Sequence, residues 1–290
     1  MPVSPRCISL AATVALLLAP IGLAAQGGGN PQMQEAMRLH EAGRHAEARR
    51  IYQQMIDAAD SPRARAAAQR SMARSAGFDG DCALAVRYEE MVIAYHKTRE
   101  ASVPQDAFYQ QGEMANEAAR ICADAGALDE AERMYRRGSE LGNMQPEPRE
   151  NPRVLWDFRL NHAMARLSAL RGDAAAAQRY LTGARASLDA MVAVDSSLAR
   201  QQERFFQYLP GYIALYTGQT ALAVREMERA TAIPGNDRDP QLRYLLGLAY
   251  ERAGEADRAK AQYERALAMA SGNNPPNSFA RREAAKKLGK

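Results

Sequence analysis

Six glycines divide this chain into units: Gly43, Gly80, Gly126, Gly172, Gly218 and Gly254, spaced 37, 46, 46, 46 and 36 residues apart. Each stands where one apolar pattern of helical period stops and another begins, as expected of a helical hairpin closed by a left-handed glycine. In the last unit the pattern runs through Leu245, Leu246, Ala249 and Tyr250, and resumes through Ala259, Tyr263, Ala266 and Leu267. Five residues after the glycines stand Ala48, Ala85, Ala131, Ala177, Ala223 and Ala259. Seven residues before them stand Ala36, Ala73, Ala119, Ala165, Gly211 and Gly247. Small residues at both offsets in every unit predict close approach of the two helices, where a larger side chain would overpack at a cost of about 1–3 kcal/mol. Nine residues after the glycines come the fillers Tyr52, Tyr135, Leu181, Met227 and Tyr263, with Glu89 as the exception. In the second unit Gly77 competes with Gly80 for the turn.

Composition agrees with helices. Of 290 residues, 58 are Ala and only 7% are aromatic. Ala costs no side-chain entropy in a helix, whereas strands favour β-branched and aromatic residues, so the fold class is all-α. Proline-bearing joints at Ser61-Pro62, Val103-Pro104, Gln145 to Pro152 and Ile233 to Pro240 each end one helix and start another.

In the last unit Leu246, Gly247, Ala249, Tyr250, Gly254, Ala259, Tyr263 and Ala266, with Pro275 and Pro276 after them, resemble the tetratricopeptide repeat family. Gly218 with Ala223, and Gly126 with Ala131 and Tyr135, are weaker copies. The resemblance covers residues 31–290 and implies a right-handed superhelical solenoid of about six antiparallel helix pairs. The 46-residue intervals exceed the family's usual period of about 34 and require longer helices or linkers. Residues 31–274 are assigned to the repeats and 275–290 to a C-terminal capping helix. That helix is basic, with Arg281, Arg282, Lys286 and Lys287, so a membrane or nucleic-acid contact is the alternative to capping.

Residues 1–25 have the form of a secretory signal: Arg6, an apolar stretch from Ile8 to Ala19, then small residues at Gly22, Ala24 and Ala25. About twelve apolar residues are too few to span a bilayer, which takes roughly 20, so cleavage is expected rather than anchoring. A flexible leader follows at 26–30. The expected location is therefore outside the cytoplasm, periplasmic or secreted, with no transmembrane segment after cleavage. Cleavage removes Cys7 and leaves Cys82 and Cys122, 40 residues apart, close to one repeat. They either pair across neighbouring repeats or remain buried free thiols.

Catalytic signatures are missing. His40 and His45 are five apart rather than four, and Gly43 ends the helix between them, so their imidazoles are expected to face different ways. No Cys or His spacing suits a metal, and no phosphate loop, dinucleotide fingerprint or nucleophile elbow occurs. The expectation is a non-enzyme without metal or cofactor. A net charge of +4 on this length gives no reason to expect nucleic acid.

In a stacked helical array the first helix of each pair lines the inner wall, so equivalent offsets form a ladder along it. Six residues before the glycines of units two to four stand Arg74, Arg120 and Arg166, and one turn earlier Arg70, Asn116 and His162. Further along come Tyr208, Tyr212, Tyr216 and Tyr244. Arg offers paired donors to a carboxylate and Tyr offers rigid stacking area, so these ten residues predict a groove for an acidic, partly apolar peptide or protein segment. The resemblance makes such a mode plausible, because some tetratricopeptide domains hold the carboxylate end of an extended peptide. In the alternative, the arginines pair with acids such as Glu113 or Glu117 and the tyrosines pack between repeats. On either account the chain is a scaffold, or else a structural subunit of an envelope or secretion assembly that binds through its outer face or ends.

Overall fold

The structure, a computed structural model, describes residues 30–290. The expected secretory signal and the expected leader up to residue 29 lie outside the described residues. Asn30 is the N-cap of the first helix, accepting a hydrogen bond from the Gln32 N–H.

Among the described residues there are fourteen α-helices, two short 3-10 turns and no strand. Six antiparallel pairs follow one another: α1 (Pro31–Glu41) with α2 (His45–Asp57), α3 (Pro62–Ser75) with α4 (Cys82–Lys97), and α5 (Pro104–Asp124) with α6 (Leu128–Gly142). Then come α7 (Arg153–Leu170) with α8 (Ala174–Val194), α10 (Leu209–Tyr216) with α11 (Thr220–Thr231), and α12 (Pro240–Arg252) with α13 (Ala256–Met269). All six turn glycines have φ between 73 and 83°, the left-handed region that side chains resist. Gly80 therefore makes the second turn, and Gly77 sits inside a 3-10 turn spanning Ala76–Phe78.

The small-residue offsets fall where the paired helices touch. Ala48, Ala85, Ala131, Ala177, Ala223 and Ala259 are all buried, and so are Ala36, Ala73, Ala119 and Ala165. At Gly247 an added Cβ would come within 2.7 Å of the Tyr263 ring, so the bulky filler of one helix occupies the notch of the other.

The long intervals have three sources, one of them the irregular segment 143–152 that joins α6 to the 18-residue α7. Helices α5 and α8 each run for 21 residues. Between α8 and the short α10, the chain adds α9 (Ser196–Phe206), which breaks the one-pair-per-unit rule. Asp195 starts it by accepting from the Ser197 and Leu198 N–H groups, a side-chain cap with no glycine or proline to announce it.

The last helix, α14 (Pro275–Leu288), does more than cover the final pair. It packs on α12 and α13 and also reaches α5 and the 3-10 turn of the second pair. Asn273 donates to the Ser71 carbonyl at 2.8 Å and to the Tyr52 hydroxyl at 3.2 Å. Arg282 donates to the carbonyls of Gly77 and Asp124. Ser278 lies where a side chain on Gly77 would have to be, which explains why the residue there is glycine. The end of the array thus closes onto its beginning.

Candidate functional site

The basic ladder divides into two clusters with different fates. In the first, Arg70 and Arg74 of α3 both bind Glu117 of α5, each with Nη2 at 2.6 Å from Oε1 and Nε within 3.0 Å of Oε2. Burial works to raise the Glu117 carboxyl, but the two guanidiniums outweigh it and hold the pKa down at about 2. They line a cavity of about 540 Å³ with Arg63, His96 and Arg99, yet their own charge is already engaged.

Behind them, Glu89 of α4 is fully buried and its carboxyl meets that of Glu117. Burial and then the Glu117 charge push its pKa well up, against Arg70 and Arg74. The exception among the bulky fillers is therefore a neutral acid hydrogen-bonded to the Glu117 carboxylate. Because the folded state holds this proton and the unfolded chain releases it, Glu89 makes stability fall as pH rises above the ordinary carboxylate range. Glu117 works the other way, adding stability as pH rises from about 2 towards 4.5. Glu89→Gln removes the titrating group, so its stability should fall less than the parent's between pH 4.5 and pH 8, by about 1.4 kcal/mol for each unit by which folding raises the Glu89 pKa. Urea unfolding at the two pH values checks this; a constant difference would show that Glu89 does not titrate on folding.

In the second cluster, Arg120 of α5 and Arg166 of α7 share one carboxylate, Asp124, at 2.8 and 3.4 Å. Only 3% of the Arg166 side chain and 7% of that of Asp124 are exposed. Arg166 also lies over the Tyr212 ring, 5.0 Å from its centroid. Two guanidiniums against one carboxylate leave an excess positive charge, and the donors show it. Arg120 Nη2 and Arg166 Nε are buried with no hydrogen-bond partner.

These groups border a cavity of about 270 Å³ that also takes in Asn116, His162 and Tyr208. His162 Nε2 stands 3.2 Å from the Phe205 carbonyl, which can only accept, so the proton is on Nε2. Burial, and then the Arg166 and Arg120 charges, hold its pKa near 3, so the ring is neutral at pH 7. The rest of the wall mixes the aromatic rings of Tyr135, Phe158 and Phe205 with Gln202 and the Arg159–Glu113 ion pair. In so sheltered a site a carboxylate beside the excess positive charge gains more than it would in water.

Five of the ten ladder residues, Asn116, Arg120, His162, Arg166 and Tyr208, meet in this cavity. The other five do not. Arg70 and Arg74 are neutralised by Glu117, one of the acids named in the alternative. Tyr212 is buried under Arg166 and packs on Tyr216, ring centroids 4.6 Å apart. Tyr244 is a correction to the groove as the sequence predicts it: α14 covers it, with Phe279 edge-on at 5.3 Å, so it offers no open stacking surface. Sequence reasoning missed Tyr135, which reads as a core filler, Phe158, and Gln202 and Phe205, which belong to the unannounced α9. It also missed Asp124, whose place one turn after Arg120 was a readable signal.

The histidine pair needs a second correction. His40 and His45 do not face apart: the left-handed turn at Gly43 folds α2 back so that their Nδ1 atoms lie 3.0 Å apart, one donating and the other accepting. Among the described residues no group of three or more His, Cys, Asp or Glu is placed to hold a metal ion. Cys82, opening α4, and Cys122, in the last turn of α5, form a disulfide that ties the second pair to the third.

No family model and no curated protein matches the chain. Among solved structures it is similar to a circular tandem repeat protein with novel repeat topology and enhanced subunit contact surfaces, at 17% identity and a TM-score of 0.27. That match covers 89% of this chain and 65% of the other. So distant a likeness carries no argument, and the architecture rests on the pair geometry above. The chain is an all-α helical repeat. Its six pairs pack in sequence order, each against the next, with α9 inserted after the fourth.

Proposed function

We propose that this helical repeat is an exported, non-catalytic scaffold of the tetratricopeptide type, and that it takes an acidic, partly apolar segment of a protein partner at the Arg120–Arg166 cavity. One observation carries the reading: two buried guanidiniums share a single carboxylate, which leaves an excess positive charge beside a cavity partly lined by aromatic rings. A carboxylate from a partner offsets the excess charge at Arg120, whose side chain keeps 16% of its surface exposed, and the carboxylate's apolar neighbours lie against the exposed Phe205. Of the ladder, Asn116, Arg120, His162, Arg166 and Tyr208 make up the contact set. The Cys82–Cys122 disulfide supports export, since such bonds persist in oxidising compartments.

The test is capture of a defined pool of acidic peptides by the parent, Arg120→Gln and Arg63→Gln. Arg120→Gln should lose capture by at least tenfold, about 1.4 kcal/mol, while Arg63→Gln, on the cavity of the first cluster, leaves it unchanged. Unchanged capture by Arg120→Gln together with a lower melting temperature would mean that the arginine is structural only.

A further inference from the structure

The helix α14 is held differently on its two sides. Towards the last pair the contact is apolar: Phe279, Ala280 and Ala284 belong to one core with Tyr244, Tyr263 and Ala266, and the Phe279 ring meets Tyr244 edge-on at 5.3 Å. Towards the first three pairs it is polar. The other cores, built from those pairs and from α7, include no residue of α14. Among the described residues four hydrogen bonds cross this seam. Asn273, just before the helix, donates to the Ser71 carbonyl and the Tyr52 hydroxyl, and Arg282 donates to the carbonyls of Gly77 and Asp124. The ion pairs of α14 stay within the helix or go to Glu251 of α12.

These contacts can part without stranding a charge. Arg282, whose side chain is only 9% exposed, carries its counter-ion with it: Glu283, the next residue of α14, lies 2.6 Å from its Nε. What it leaves behind on the first three pairs is two backbone carbonyls, which water can satisfy. Breaking a buried ion pair would be far more costly. Packing in the seam is also incomplete, because a cavity of about 460 Å³ separates His40 and Phe78 from Arg281 and Ala285. The closest fit is at Gly77, where an added Cβ would stand 2.1 Å from Ser278 Oγ and 3.0 Å from Ser278 Cβ. The next atom, on Ile121, is an ordinary 3.8 Å away, so a methyl group at this position presses on α14 and spares its own side of the seam.

We infer that the seam between α14 and the first three pairs is a latch: the closed array opens there, while α14 stays seated on α12 and α13. A stack of helix pairs can open in this way because its curvature is the sum of small rotations from unit to unit, so slight unwinding along the array separates its ends. Opening uncovers Phe78 and frees the backbone of Asp124, whose carboxylate Arg120 and Arg166 share. The latch thereby acts on the end of α5 that carries Asp124, and it stands whatever the Arg120–Arg166 cavity binds.

The experiment is hydroxyl-radical footprinting of the full chain, read at Phe78 across the seam and at Tyr244 beneath α14, both buried in the closed array. Gly77→Ala, which presses on Ser278, and Arg282→Gln, which takes away the donors of two cross-seam bonds, should each raise modification of Phe78 about threefold or more and leave Tyr244 as in the parent. Adding Ser278→Gly to Gly77→Ala removes the clashing atoms and should return Phe78 to the parent rate. Unchanged Phe78 in either single variant would overturn the inference. A parallel rise at Tyr244 would overturn it as well, because α14 would then be leaving as a whole. So would failure of Ser278→Gly to restore protection, because Gly77→Ala would then be distorting its own turn.

Discussion

Asp124→Ala should lose about 3–5 kcal/mol of unfolding free energy, the usual cost of removing one member of a buried ion pair. The loss is large because Asp124 is the single acidic partner of two arginines that water scarcely reaches. Without it Arg120 and Arg166 face each other uncompensated across α5 and α7. Asp124→Asn keeps the size and one acceptor, so it should retain part of the stability. Added acetate should raise the melting temperature of Asp124→Ala more than that of the parent, because it restores the missing negative charge. Thermal and urea unfolding measure both effects. A loss below 1 kcal/mol would mean that water or rearranged side chains already satisfy the guanidiniums, and the charge argument for the cavity would fall with it.

Reduction of the Cys82–Cys122 disulfide should cost about 4 kcal/mol by loop-closure entropy, since the bond spans 40 residues. The cysteines stand on α4 and α5, so the loss belongs to the junction between the second and third pairs. Those pairs also hold Glu89, Glu117, Arg70 and Arg74, and loosening the junction should let water reach this buried cluster. Calorimetry with and without a phosphine reductant, and on Cys82→Ser with Cys122→Ser, gives the size of the effect. Hydrogen exchange should show faster opening in α4 and α5 than in α12 and α13. Equal melting temperatures under both conditions would show that helix packing alone sets the stability of the junction.

Much of the fold was legible because helix pairing is a local matter. A glycine in the left-handed region, an alanine five residues later and a small residue seven earlier lie on two consecutive helices, and their spacing reflects direct contact between them. The insertion of α9 escaped because its start depends on one aspartate cap rather than on a break in composition. The candidate site was legible only in part. Equal offsets place Arg74, Arg120 and Arg166 on equivalent faces, but offsets do not say which acid each arginine meets. Glu117 neutralises the first, and Asp124 is divided between the other two.

The amino-acid sequence by itself determined the all-α class, the six turns and the close contacts within each pair, since these arise from residues fewer than about twenty positions apart. Only the tertiary structure decided that α14 returns to Gly77 and Asp124, that Tyr244 is covered, and that His40 and His45 share a hydrogen bond beneath a basic wall. The return of α14 to Gly77 and Asp124 depends on the twist accumulated over six stacked pairs, whereas the His40–His45 bond is set within the turn at Gly43. Small rotations at each junction add up, and no short-range pattern records their sum.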